Sequence, residues 1–139
     1  MADNRNKLVA IAVGHVLANK AKKEAWHYAE IRPIPYKGGF PKTTDCSGSV
    51  GIYFYEAGCF DPHNCNFDGR GSTWTLLENG HEITRDQVVP GDLAIYHPHD
   101  DISLQHTALV TKVFPNGDIL TASHGEEGDP SFVWCQTPK

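Results

Sequence analysis

Cys46 lies in Thr43-Thr44-Asp45-Cys46-Ser47-Gly48-Ser49-Val50, where a turn-forming tetrapeptide runs into an apolar stretch with helical spacing. The first turn of a helix offers free backbone N–H groups and the positive end of the helix dipole, and both favour a thiolate over a thiol. A thiolate nucleophile needs a proton acceptor and a group that orients the acceptor. The second half of the chain offers both: His106 at the start of one expected strand and His124 at the end of its hairpin partner. A hairpin turning at Pro115-Asn116-Gly117-Asp118 brings those two strand ends side by side. A line of Cys46, His106 and His124 then forms if the Cys46 helix packs on that end of the sheet. Ser123, Glu126 and Glu127 are the alternatives to His124; His124 is preferred because an imidazole can accept the Nδ1–H of the base and alternation along a strand lets only one of Ser123 and His124 face His106.

Other polar clusters read as structural. His97-Pro98-His99-Asp100-Asp101, with His106 and His124, defines a competing class, a zinc-dependent hydrolase, but a solvated loop does not preset ligand geometry. Asn64-x-Asn66-x-Asp68-Gly69 resembles the first half of a calcium loop; Thr75 stands where the closing glutamate belongs, so the segment reads as an Asx-rich turn. No metal or cofactor is expected. His15, His27, His63 and His81 show no partner pattern and read as structural. Cys59, Cys65 and Cys135 read as thiols, although Cys59 and Cys65 could pair outside the cell.

The elements that must position these residues follow from local patterning. Residues 6–30 are rich in Ala, Leu, Val and Lys and read as one or two helices. Pro33, Pro35, Gly38, Gly39 and Pro41 make 31–44 a connecting loop. From Cys46 to Ala57 the positions Val50, Tyr53, Phe54 and Ala57 keep helical spacing, and Gly58 suits the left-handed residue past a helix end. Residues 60–72 read as an irregular loop and 73–77 as the start of a short helix. Leu93 to Tyr96, Thr107 to Phe114, Ile119 to Ser123 and Ser131 to Gln136 read as strands, with Pro90-Gly91-Asp92 a turn before the first. Helices followed by strands indicate an α+β domain in which an antiparallel sheet packs against the nucleophile helix.

At 139 residues the chain fits a single domain, 1–139, large enough to bury one core. A formal net charge of −5 with dispersed Lys and Arg argues against nucleic acid as a partner. No segment reads as a signal peptide or a bilayer-spanning run. Synthesis in the cytoplasm without membrane insertion is the expectation.

Four ordered motifs now stand together: Pro35-Tyr36-x-Gly38-Gly39, Asp45-Cys46-Ser47-Gly48, Pro90-Gly91-Asp92-Leu93 and His106-Thr107-Ala108-Leu109-Val110. Their order and spacing resemble the NlpC/P60 family of papain-like cysteine peptidases, related to the CHAP amidases, over about Trp26 to His124. More loosely, Trp26-His27-Tyr28, Arg32-Pro33 and Asp61-Pro62 are similar to peptidase domains of bacteriophage endolysins. The resemblance implies a papain-like fold, peptidoglycan as substrate, and cleavage of an amide bond in the stem peptide at the bacterial cell wall. It implies Cys46 as nucleophile, His106 as general base and His124 in the orienting place. On the substrate side it implies Tyr36, with Asp45 and Ser47 beside the nucleophile. A bacterial amidase toxin of the same fold and a non-catalytic wall-binding module are the alternatives.

Overall fold

The computed structural model describes residues 2–37, 39–96, 106–124 and 131–135. Helix α1 spans Ala2–Lys20. Its Leu8, Ala12 and Val16 recur every four residues and are buried, the spacing that keeps side chains on one helix face. The chain leaves the helix through Lys22 in the left-handed region (φ 60°), with Lys23 N–H donating to the Ala18 carbonyl at 2.8 Å. Helix does not continue to Glu30: Trp26–Tyr28 is a strand, β1. It pairs in parallel with β2, Lys42–Thr44, in the register Trp26↔Lys42 and Tyr28↔Thr44. The loop expected over 31–44 therefore ends in a strand that delivers the chain directly to Cys46.

Helix α2 covers Cys46–Glu56 and Gly58 follows in the left-handed region (φ 73°), as its sequence requires. The 59–72 segment is irregular but ordered around Asp61, whose carboxylate accepts from the backbone N–H groups of His63, Cys65 and Phe67. Thr73–Asn79 forms α3. After a 3-10 turn at Arg85–Gln87, β3 (Leu93–Tyr96), β4 (His106–Val113), β5 (Ile119–Ser123) and β6 (Ser131–Cys135) form one antiparallel sheet in that order. The β4–β5 register is Leu109↔Ala122 and Val110↔Thr121 near one end and Lys112↔Leu120 near the turn, with a bulge between Val110 and Lys112. Asp92 holds the turn before β3, receiving the Arg5 guanidinium at 2.8 Å and the Val89 N–H at 2.9 Å.

The core joins Leu8, Ala12 and Val16 of α1, Trp26 of β1, Ile52 and Tyr53 of α2, and Leu109 and Ala122 of the sheet. Burying each of the larger of these side chains contributes about 1.5–3 kcal/mol. The helix α2 packs on β4, and α1 packs on α2, β4 and β5. The architecture is mixed α+β, with three α-helices among the described residues. None of these helices is long and apolar enough to cross a membrane.

Candidate active site

Cys46 is the first residue of α2, and Asp45 caps the helix from an extended backbone conformation, its carboxylate accepting the Gly48 N–H at 2.8 Å. Gly48 is required here: a Cβ at that position would run into Thr44 Oγ1 and sit 3.0 Å from Asp45 Oδ1. The Asp-Cys-Ser-Gly tetrapeptide is thus a close-packed cap that leaves the cysteine in the first turn. Cys46 is buried and lies 3.8 Å through Sγ from the hydroxyl of Thr73, the first residue of α3.

His106 opens β4, the strand on which α2 packs. Its Nε2 lies 2.7 Å from Ser123 Oγ at the end of β5. Burial, reinforced by the neighbouring His124, pulls the His106 pKa below the usual imidazole value, so the ring is neutral and able to accept a proton near pH ~7. The register Leu109↔Ala122 places Ala108 opposite Ser123, which sets Ser123 on the His106 face and His124 on the other. The orienting contact expected of His124 is made by Ser123. His124 is fully buried instead, edge-on to Trp26 and Tyr28 at 5.8 and 5.3 Å, with Nε2 3.2 Å from the His27 carbonyl. It ties β5 to β1, and through β1 to the β2 strand that leads into Cys46.

The three residues expected on the substrate side are all buried. Asp45 is committed to the cap and to Arg32, whose Nη2 lies 3.2 Å from Asp45 Oδ2 and 3.1 Å from Ser47 Oγ. Arg32 also donates to the Gly71 carbonyl at 2.7 Å, so this guanidinium clamps the 59–72 segment to the start of α2. Tyr36 packs against Tyr55 and Phe67, with its hydroxyl close to Gly51 in the middle of α2. Its phenol pKa is pushed up, chiefly by burial. The structure gives it a packing role.

Two residues that spacing did not single out belong to this region. His63 is 1% exposed, its Nε2 3.1 Å from the Ser47 carbonyl and its Nδ1 2.7 Å from Thr75 Oγ1. Burial lowers its pKa. Since a carbonyl only accepts, Nε2 carries the proton, and Nδ1 of the neutral ring competes with the Ser72 carbonyl, 2.8 Å away from Thr75 Oγ1, for the one Thr75 hydroxyl hydrogen. Thr73 is the other. Its one advance signal was its place at the start of a short expected helix. Cys59 and Cys65 are free thiols, and Cys65 Sγ points at the His63 carbonyl at 3.3 Å. His97, His99, Glu126 and Glu127 lie outside the described residues, as do the side chains of Trp134 and Cys135. No family model, curated protein or solved structure matches the chain.

Proposed function

We propose that the chain is a cysteine peptidase or amidase of the NlpC/P60 kind, papain-like in fold. Its substrate is bacterial peptidoglycan and its action is that of a phage lysin, made in the cytoplasm and working at the cell wall. The observation that carries this reading is Cys46 in the first turn of a helix that packs on β4, with His106 opening that same strand and held through Nε2 by Ser123. The four ordered sequence motifs support the substrate class.

In the reaction, Nδ1 of His106 takes the proton of Cys46 and the thiolate attacks the carbonyl carbon of a stem-peptide amide. The oxyanion of the tetrahedral intermediate is met by the Cys46 backbone N–H and neighbouring first-turn donors. Collapse of the intermediate breaks the C–N bond, and the leaving amine takes the proton from the His106 imidazolium. A thioester remains on Cys46. Water, giving its proton to His106, attacks the thioester and releases the carboxylic acid, and the thiol regains its proton. Ser123 holds Nε2, which leaves Nδ1 as the ring nitrogen for this proton transfer.

Mass spectrometry of fragments released from purified peptidoglycan tests this. The parent protein is expected to generate new amine and carboxylate ends, and Cys46→Ala to generate them slower by about a thousandfold or more. Hydrolysis retained in Cys46→Ala with the fold intact would sink the proposal.

A further inference from the structure

We propose that Thr73 donates a hydrogen bond to the Cys46 thiolate, making α3 the source of a further polar group at the nucleophile. The inference rests on Cys46 serving as the nucleophile. The two side chains are buried together, with Oγ1 and Sγ 3.8 Å apart, within reach of a hydrogen bond to sulfur. Cys46 Sγ is a hydrogen-bond partner of the Thr73 hydroxyl.

The turn that carries Thr73 is anchored to the start of α2 by a chain of hydrogen bonds. Ser72 N–H donates to Thr75 Oγ1 at 2.8 Å, which fixes the first turn of α3. Thr75 Oγ1 meets His63 Nδ1 at 2.7 Å, and His63 Nε2–H reaches the Ser47 carbonyl at 3.1 Å. Ser47 follows Cys46 directly, so the contacts close a ring: Cys46, Ser47, His63, Thr75, Ser72, Thr73 and back to Cys46. A glycine at position 71 allows His63 to fill the space. A Cβ on Gly71 would overlap the imidazole. The ring holds the first turn of α3, and with it Thr73, against the start of α2.

The chemistry is asymmetric between the two states of the sulfur. Against a thiol, the hydroxyl makes a weak contact in which either atom donates. A thiolate can only accept, and a charge-assisted bond is about twice as strong as a neutral one. Thr73 therefore stabilises the ionised nucleophile more than the resting thiol and raises its fraction. Part of that gain is returned, because a less basic thiolate is a weaker nucleophile, with a Brønsted slope of about 0.4–0.5.

The test is the pH profile of Cys46 alkylation by iodoacetamide, read by peptide-resolved mass spectrometry on the full chain with Cys65 as internal reference. In this reaction the thiolate attacks the methylene carbon and iodide leaves. Thr73→Val, which keeps the shape and removes the hydroxyl, is expected to slow Cys46 alkylation near pH ~7 about three- to tenfold and to displace the profile to higher pH. Thr73→Ser is expected to restore the parent profile. Thr73→Ala provides the same comparison if the valine variant does not fold. A hydroxyl-free variant whose Cys46 profile superimposes on the parent overturns the proposal, as does a serine variant displaced as far as valine. The readout needs no peptidoglycan, so hydrolysis surviving in Cys46→Ala would remove the functional reading without touching this measurement.

Discussion

The side chain that holds His106 decides how the candidate site is built. Ser123 touches Nε2, whereas His124 is packed between Trp26 and Tyr28, so the two should fail differently when replaced. Ser123→Ala is expected to lower kcat about 10- to 100-fold with little change in KM or Tm, since it only frees an imidazole to turn. His124→Ala should lower Tm markedly, because it opens a cavity among aromatic rings and removes the contact to the His27 carbonyl. Peptidoglycan-release kinetics and thermal unfolding of the two variants separate the roles. The depressed pKa of His106, caused first by burial, fixes a second expectation. The acidic limb of kcat/KM should lie below pH ~6.5, the ordinary imidazole value. A limb at or above that value would mean another group limits the rate. At this scale the sequence was informative where chemistry is local. Asp45, Cys46 and Gly48 announce a cap by adjacency alone, while His63 depends on Ser47 and Thr75, residues 16 and 12 positions away, and no spacing rule reports that.

Among the elements, α1 and α2 are joined by an ion cluster outside the candidate site. His15 of α1 lies 2.8 Å through Nδ1 from Glu24 in the connection to β1, and 2.6 Å through Nε2 from Glu56 at the end of α2. It stacks on Tyr53 of α2 and meets Trp26 of β1 and Phe40 edge-on or tilted. Burial works against its charge, but the Glu56 and Glu24 carboxylates outweigh burial, and the His15 pKa is raised. A folded pKa above the unfolded value of ~6.5 stabilises the protein fully below that pH, and the contribution is lost as pH rises through the folded value. The Tm advantage of the parent over His15→Gln is therefore expected to be larger at pH ~6 than at pH ~9; an equal advantage at both would refute the linkage. The helix α2 and the β4–β5 hairpin were legible because their signals are contiguous: cap, apolar spacing and left-handed glycine for one, β-branched runs around Pro115-Asn116-Gly117-Asp118 for the other. The β1–β2 pair was not. Each strand has three residues and becomes a strand only through the other, so Trp26 read as the tail of a helix.

For the molecule as a whole, the order of the elements matters more than their number. The strand β2 leads into Cys46 at the start of α2, α2 packs on β4, and the two elements that contact the first turn of α2, α3 and the 59–72 segment, are inserted between α2 and β3. The competing zinc-hydrolase class would need His106 and His124 to converge, and the register places them on opposite faces of the sheet. Iodoacetamide is therefore expected to abolish peptidoglycan hydrolysis and a strong chelator to leave it intact; the reverse pattern would favour the zinc class. The α+β class was legible from the sequence of helices followed by strands, because layering depends on coarse order rather than on exact pairing.

The bulge between Val110 and Lys112 has a consequence for how such a site can change. Counted back from the turn in the register of Lys112↔Leu120, an unbroken ladder would put His124, not Ser123, opposite Ala108 and on the side of His106. One surplus residue reverses the parity of every side chain beyond it. The identity of the group beside His106 thus depends on how Thr111 is accommodated, several residues away from either candidate. A ladder that took Thr111 into its pairing would exchange a hydroxyl for an imidazole beside His106, whereas deletion of Thr111 would straighten the strand and keep Ser123 where it is.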